Sequence, residues 1–195
     1  MPRTAKVSRT TKETDIAVSL SLDGKGKAAI DTGIGFFDHM LTLAASHGLL
    51  DLTVKAKGDL HVDQHHTLED VGLALGKALK EALGDKAGCR RYGAALIPMD
   101  EALAQVAIDL SGRGGFSLKG SWPRRKLKDL DTESLLEFLK AFAAEGALTL
   151  HVVLVAGTNG HHLIEAVFKG LGRALCDAVA PDPRRKGIPS TKGVL

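Results

Sequence analysis

The sequence predicts an α+β fold, an α/β sandwich made of two similar units, each a sheet with helices packed on one face. Three observations predict it. "DQHHTLEDVGLALGKAL" (63–79) returns as "NGHHLIEAVFKGLGRAL" (159–175), an offset of 96 residues. Upstream of each copy lies a stretch that alternates apolar and polar residues, the period-2 mark of a half-buried strand. Each copy itself carries apolar residues at three- and four-residue steps, the mark of an amphipathic helix.

The elements follow in order. "TKETDIAVSLSLDGKGKAAIDTG" predicts a hairpin with its turn at Asp23–Gly26. An apolar helix is expected over Phe36–Ala45, and a strand over 49–60, "LLDLTVKAKGDL". Leu68, Val71, Leu75, Ala78 and Leu79 then share one face of a helix from about His65 to Leu83, stopped by Gly84–Asp85. "ALIPMDEALAQVAIDLSGRGGFSLKG" predicts two strands flanking a loop at Pro98–Glu101. The second unit repeats the layout with a helix over Glu133–Ala144, a strand over 147–157 and a helix from about His161 to Val179, stopped by "PDP". The whole chain, 1–195, is read as one domain with repeats of about 1–95 and 96–195. A period near half the chain is too long for a solenoid.

Composition narrows the class. No run of 18 or more apolar residues is present, so no membrane span is expected. The first residues lack the apolar core of a secretory signal, and two cysteines make no disulfide framework. A cytoplasmic protein with reduced thiols is expected. A net charge of +3 with one Trp and one Tyr offers few stacking surfaces, so no nucleic-acid partner is expected. "GKGK" (24–27) and "GIG" (33–35) match neither phosphate-loop fingerprint and read as turns.

The repeated histidines carry the chemistry. His65 and Glu69, like His161 and Glu165, are four residues apart and share a helix face. An imidazole and a carboxylate so placed can ligate one divalent ion. The adjacent His66 or His162 points about a third of a turn away and is expected to serve a second ion. Imidazole with carboxylate suits Mn, Fe, Zn or Co. His39, in "FFDHML", and Glu137, in "LLEFLK", occupy matching places on the earlier helices if a two-residue slip is allowed. His47 is expected near the site or the core, and His61 and His151 in loops or strands.

These segments, together with "GIGFFDHML", "RYG", "PMDEAL", "DLSGR" and the terminal "PSTKG", resemble the imidazoleglycerol-phosphate dehydratase family of histidine biosynthesis from about Arg9 to Gly193. The resemblance implies a duplicated fold, two Mn(2+) per active site, and a homo-oligomeric shell of twenty-four subunits with metals at subunit interfaces. It implies one ion held by His65, Glu69, Glu137 and His162, and another by His39, His66, His161 and Glu165. Many family members have histidine where this chain has Glu137. It implies a lyase that dehydrates D-erythro-imidazoleglycerol phosphate to imidazole-acetol phosphate through a metal-bound imidazolate, with Glu13 moving protons. It further implies a substrate site that includes Glu13, His39, His47, His65, His66 and Glu69, with phosphate held by Arg91, Arg113, Ser190 and Lys192. On the residues alone, a di-metal hydrolase and a metal-storage shell are the competing readings.

Overall fold

The computed structural model describes residues 3–195; Met1 and Pro2 of the expected domain lie outside the described residues. The chain runs β1 (Thr4–Thr10), β2 (Thr14–Ser21), β3 (Ala28–Asp31), α1 (Gly35–Gly48), β4 (Asp51–Gly58) and α2 (His65–Leu83). It continues with β5 (Tyr92–Met99), β6 (Ala102–Asp109), β7 (Gly115–Lys119), β8 (Lys126–Leu127), β9 (Leu130–Asp131), α3 (Thr132–Glu145), β10 (Thr149–Ala156) and α4 (Gly160–Val179). The four expected helices are present, with ends shifted by at most three residues.

The two large sheets share one plan. The first has the order β1-β2-β4-β3 and the second β5-β6-β10-β7. In each, the third strand runs antiparallel to the second and parallel to the fourth. Alternation decides the buried face: in β2, Ile16, Val18 and Leu20 point inward between the more exposed Asp15, Ala17, Ser19 and Ser21. The helices α2 and α4 pack on the sheets of their own halves, and they also pack across the molecule, α2 on α3 and α4 on α1. The layers are therefore sheet, helices, helices, sheet. Leu20, Leu75, Phe138 and Leu171 meet at the centre.

Glycine sets the helix separation. A Cβ on Gly76 of α2 would lie 2.7 Å from both the Gly146 nitrogen and the Phe142 oxygen of the α3 end. A Cβ on Gly172 of α4, 96 residues on, would run into the Ala44 oxygen and lie 2.9 Å from the Gly48 nitrogen of α1. Backbone has no rotamer with which to move away, so a side chain here would force the helices apart.

Two expectations fail, the first because Pro98 and Met99 continue β5 in register with Leu103 and Ala102, so the loop expected at Pro98–Glu101 shortens to Asp100 and Glu101. The turn at Asp23–Gly26 does not close a hairpin, because β3 does not pair with β2. Instead β4 lies between them, antiparallel to β2 and parallel to β3. The residues around that turn cross over the start of β4, where the Asp51 carboxylate accepts from the Lys25 and Lys27 amides at 2.8 and 3.0 Å. Those bonds satisfy the loop backbone without a hairpin ladder. The true hairpin is β1–β2, with Thr10 facing Asp15 across the turn. Its first strand, β1, alternates at Ala5 and Val7, and the β8–β9 hairpin has only two residues per strand; neither is among the expected elements.

Candidate metal centre and substrate site

Both repeated helices begin in the same way. The Asp63 carboxylate accepts from the His65 amide at 2.7 Å, and the Asn159 side chain accepts from the His161 amide at 3.0 Å. Asn159 is the cap residue of α4, whereas Asp63 stands one residue before the start position Gln64 of α2; both bonds use free amides of a helix start and fix where the first histidine leaves the backbone. His65 Nε2 then lies 3.8 Å from Glu69 Oε2, and His161 Nε2 lies 2.8 Å from Glu165 Oε1.

Folding of α1 against α4 adds His39. Its Nε2 lies 3.2 Å from the same Glu165 oxygen, across 126 residues of chain. The ligand atoms of His39, His161 and Glu165 all fall within 4.8 Å of one another. Two imidazole nitrogens and one carboxylate oxygen so close form a donor set that fits Mn, Fe, Zn or Co and leaves positions open. His39 is half exposed and Glu165 nearly buried, so the set opens to solvent on the histidine side.

Glu165 keeps its charge there. Burial opposes ionisation, but Lys169 Nζ at 2.8 Å from the second oxygen, with His161 and His39 on the first, outweighs it and holds the carboxyl at about 2. Lys169 also lies 3.3 Å from the Met99 sulfur. The sequence reading missed Lys169, although its i,i+4 spacing from Glu165 was a usable signal.

The remaining expected ligands do not join this group within the chain. His66 faces away, with Nδ1 3.0 Å from Asp59 and 3.8 Å from Glu13. His162 Nδ1 lies 2.7 Å from Glu101 Oε2. Glu137, on α3, pairs with Lys140 at 2.7 Å. Among the described residues it enters no group of three ligands as tight as that around Glu165. Glu13 is more than half exposed, at the mouth of the β1–β2 turn. Its backbone is fixed by the Thr11 hydroxyl, which accepts from the Glu13 and Thr14 amides at 3.1 and 3.0 Å.

His47 sits in the last turn of α1, where burial and the nearby Lys169 and Arg173 lower its pKa. His61 and His151 occupy a loop and the exposed side of β10, as expected.

The basic residues gather elsewhere. Arg91 donates to both Asp109 oxygens at 2.7 and 3.2 Å and to the Pro189 carbonyl at 2.9 Å. Three of its five N–H donors are thereby used, and they tie the C-terminal segment to β6. Within that segment the Ser190 hydroxyl accepts from the Lys192 amide at 3.1 Å. A Cβ on Gly112 would run into Leu195, so the chain end packs beside Arg113. Arg113 and Lys192 are exposed. No helix among the described residues is long and apolar enough to cross a membrane.

Comparison with known proteins points one way. Residues 32–175 match the family model described as imidazoleglycerol-phosphate dehydratase. The chain is 57% identical to the imidazoleglycerol-phosphate dehydratase of Geobacillus thermodenitrificans (strain NG80-2) over 195 residues, covering 100% of both chains. It is 58% identical to that of Desulforamulus reducens over 193 residues, 99% of this chain and 98% of the relative. The crystal structure of the Staphylococcus aureus enzyme superposes with a TM-score of 0.83 at 40% identity, covering 92% of this chain and 99% of that one. The Pyrococcus furiosus structure gives 0.84 at 38%, covering 97% and 100%.

Proposed function

The chain belongs to the imidazoleglycerol-phosphate dehydratase family and is a hydro-lyase of histidine biosynthesis; from that premise we propose how its residues carry the reaction. The observation that carries the proposal is the convergence of His39, His161 and Glu165.

We assign two Mn(2+) to each active site. His39, His161 and Glu165 hold one, completed by His66; His65, Glu69 and Glu137 hold the other, completed by His162. Each set needs a histidine that is turned toward its own carboxylate partner and away from the rest of the set. Ligands from a second subunit supply it, so the metals bridge subunits in a shell of twenty-four. The enzyme works in the cytoplasm, where Cys89 and Cys176 stay reduced.

When bound, the ions supply positive charge that favours the imidazolate form of the substrate ring. The ring can then help expel the neighbouring hydroxyl. Glu13 takes the adjacent C–H proton, a role supported by its exposure, its fixed backbone and its distance of 3.8 Å from His66. Loss of water leaves an enol, which becomes the ketone of imidazole-acetol phosphate. Arg113, Lys192 and Ser190 bind the phosphate, with the two spare N–H donors of Arg91 behind them. Arginine offers a fork to two phosphate oxygens and lysine a point charge. His47 contributes a neutral ring from α1 to the substrate site, and Lys169 adds positive charge beside Glu165.

The test is turnover of imidazoleglycerol phosphate together with a diffraction map at the Mn absorption edge. We expect imidazole-acetol phosphate without release of inorganic phosphate, and two ions per subunit at the two sets. Phosphate release would mark a hydrolase, and the absence of an anomalous peak at His39 and Glu165, or at His65 and Glu69, would overturn the assignment.

A further inference from the structure

The two halves treat their second histidines differently. β2 and β6 hold the same place in their sheets, second in the order. The residue just before β2 is Glu13, and the residue just before β6 is Glu101. Each lies beside the second histidine of its own half: Glu13 Oε2 is 3.8 Å from His66 Nδ1, and Glu101 Oε2 is 2.7 Å from His162 Nδ1. The two glutamates thus have matching positions and different bonds.

The difference has a visible source. In the first half Asp59, just after β4, reaches His66 Nδ1 at 3.0 Å and leaves Glu13 at 3.8 Å, beyond hydrogen-bond distance of that ring. In the second half the residue just after β10 is Gly157, with φ of +124° and no side chain to offer. A Cβ at Gly157 would lie 2.8 Å from Ala102, so the carboxylate at this ring comes from Glu101 instead. Its Oε1 accepts from the Asn159 and Thr158 amides at 2.9 and 3.3 Å, and its Oε2 accepts from His162. With both oxygens occupied, Glu101 cannot also swing to a substrate.

We infer that Glu101 is a positioning residue for the metal ligand His162, while its counterpart Glu13 is left free for proton transfer because Asp59 has taken over the same task for His66. A carboxylate only accepts, so the proton on each ring sits at Nδ1 and the lone pair at Nε2; in His162 that nitrogen lies 3.4 Å from the Asn159 side-chain amide, a long contact that a metal can replace. Outer carboxylates of this kind fix the tautomer and ring angle of a ligating histidine. The backbone bonds to Thr158 and Asn159 add a second function: they tie Glu101 to the residue that caps α4, so the ring and the helix start are set together.

The inference rests on the metal assignment proposed above, and one titration separates the two. Mn(2+) is added to the metal-stripped protein, which reassembles as it binds, and free ion is followed by electron paramagnetic resonance. Wild type, His162→Ala, Glu101→Ala and Glu101→Gln are compared, with the visible spectrum of the Co(2+) form as a report on ligand geometry. We expect two sites per subunit in wild type and loss of one in His162→Ala. In Glu101→Ala that same site should weaken roughly 10–100-fold with an altered Co(2+) spectrum. Glu101→Gln, which keeps an acceptor for the two amides, should weaken it less; it also serves if the alanine variant does not fold. Wild-type affinity and spectrum in both Glu101 variants, with the site lost in His162→Ala, overturn the inference alone. Full occupancy in His162→Ala, or no binding by wild type, overturns the metal assignment and the inference with it.

Discussion

Asp70 is the point at which stability and activity are most tightly joined. Its side chain is 10% exposed and accepts from Arg9 Nε at 2.7 Å, and it also accepts from the Thr14 hydroxyl. The first bond ties α2 to β1 and the second ties it to the start of β2. Thr14 in turn meets the Thr11 hydroxyl at 3.2 Å, which fixes the amide of Glu13. Asp70→Ala removes both bonds and leaves the buried Thr14 hydroxyl without its acceptor. Hydrogen bonds to a charged group contribute about 1.5–3 kcal/mol each. Arg9 is 40% exposed, so water recovers part of its share, and its bond belongs at or below the low end. The loss should be about 3 kcal/mol, or roughly 6–12 °C in Tm for a chain of this length. Asp70→Asn keeps an acceptor for Thr14 and should lose about half as much. Calorimetry of the assembled enzyme and steady-state kinetics check this together: kcat should fall with Tm, because the β1–β2 turn carries Glu13. A loss below about 1 kcal/mol in Asp70→Ala, or full kcat in a clearly destabilised variant, would refute the reasoning.

Other perturbations give separate outcomes. Glu137→Ala should lower bound Mn and turnover together while Glu137→His retains much of both; unchanged metal content by elemental analysis removes Glu137 from the ligand set. Lys192→Ala should raise KM roughly 10–100-fold, the loss of one contact to a charged group, with metal content unchanged and inorganic phosphate a weaker competitor than for wild type. A chelator should break the shell into smaller oligomers that Mn restores at neutral pH, because only the assembled state completes each site; constant mass by light scattering while metal is lost would count against bridging ions. Burial raises the pKa of the Cys89 thiol, so between the ordinary value of 9.0 and the folded one the unfolded chain binds fewer protons. Stability from this group should fall as pH rises above about 9, and urea melts of Cys89→Ala should show a shallower alkaline decline.

The local patterns of the sequence were sufficient for some features. Period-2 alternation located β4 and β10, and the three- and four-residue spacing located α2 and α4, because each pattern records which face of one element is buried. The i,i+4 pairs His65–Glu69 and His161–Glu165 were legible for the same reason, and the quoted motifs pointed to the family that the comparisons show. Tertiary structure alone decided what crosses between elements. That β4 slides between β2 and β3 depends on the sheet as a whole, since a hairpin and a crossover present the same alternating residues to a reader. That His39 meets Glu165 depends on α1 lying close against α4, which the small residues Gly48 and Gly172 permit but do not announce. Glu101 looked like a loop residue because its partner stands 61 positions away. Periodicity is a property of neighbours along the chain, whereas a bond between distant side chains exists only after the hydrophobic layers have fixed their separation.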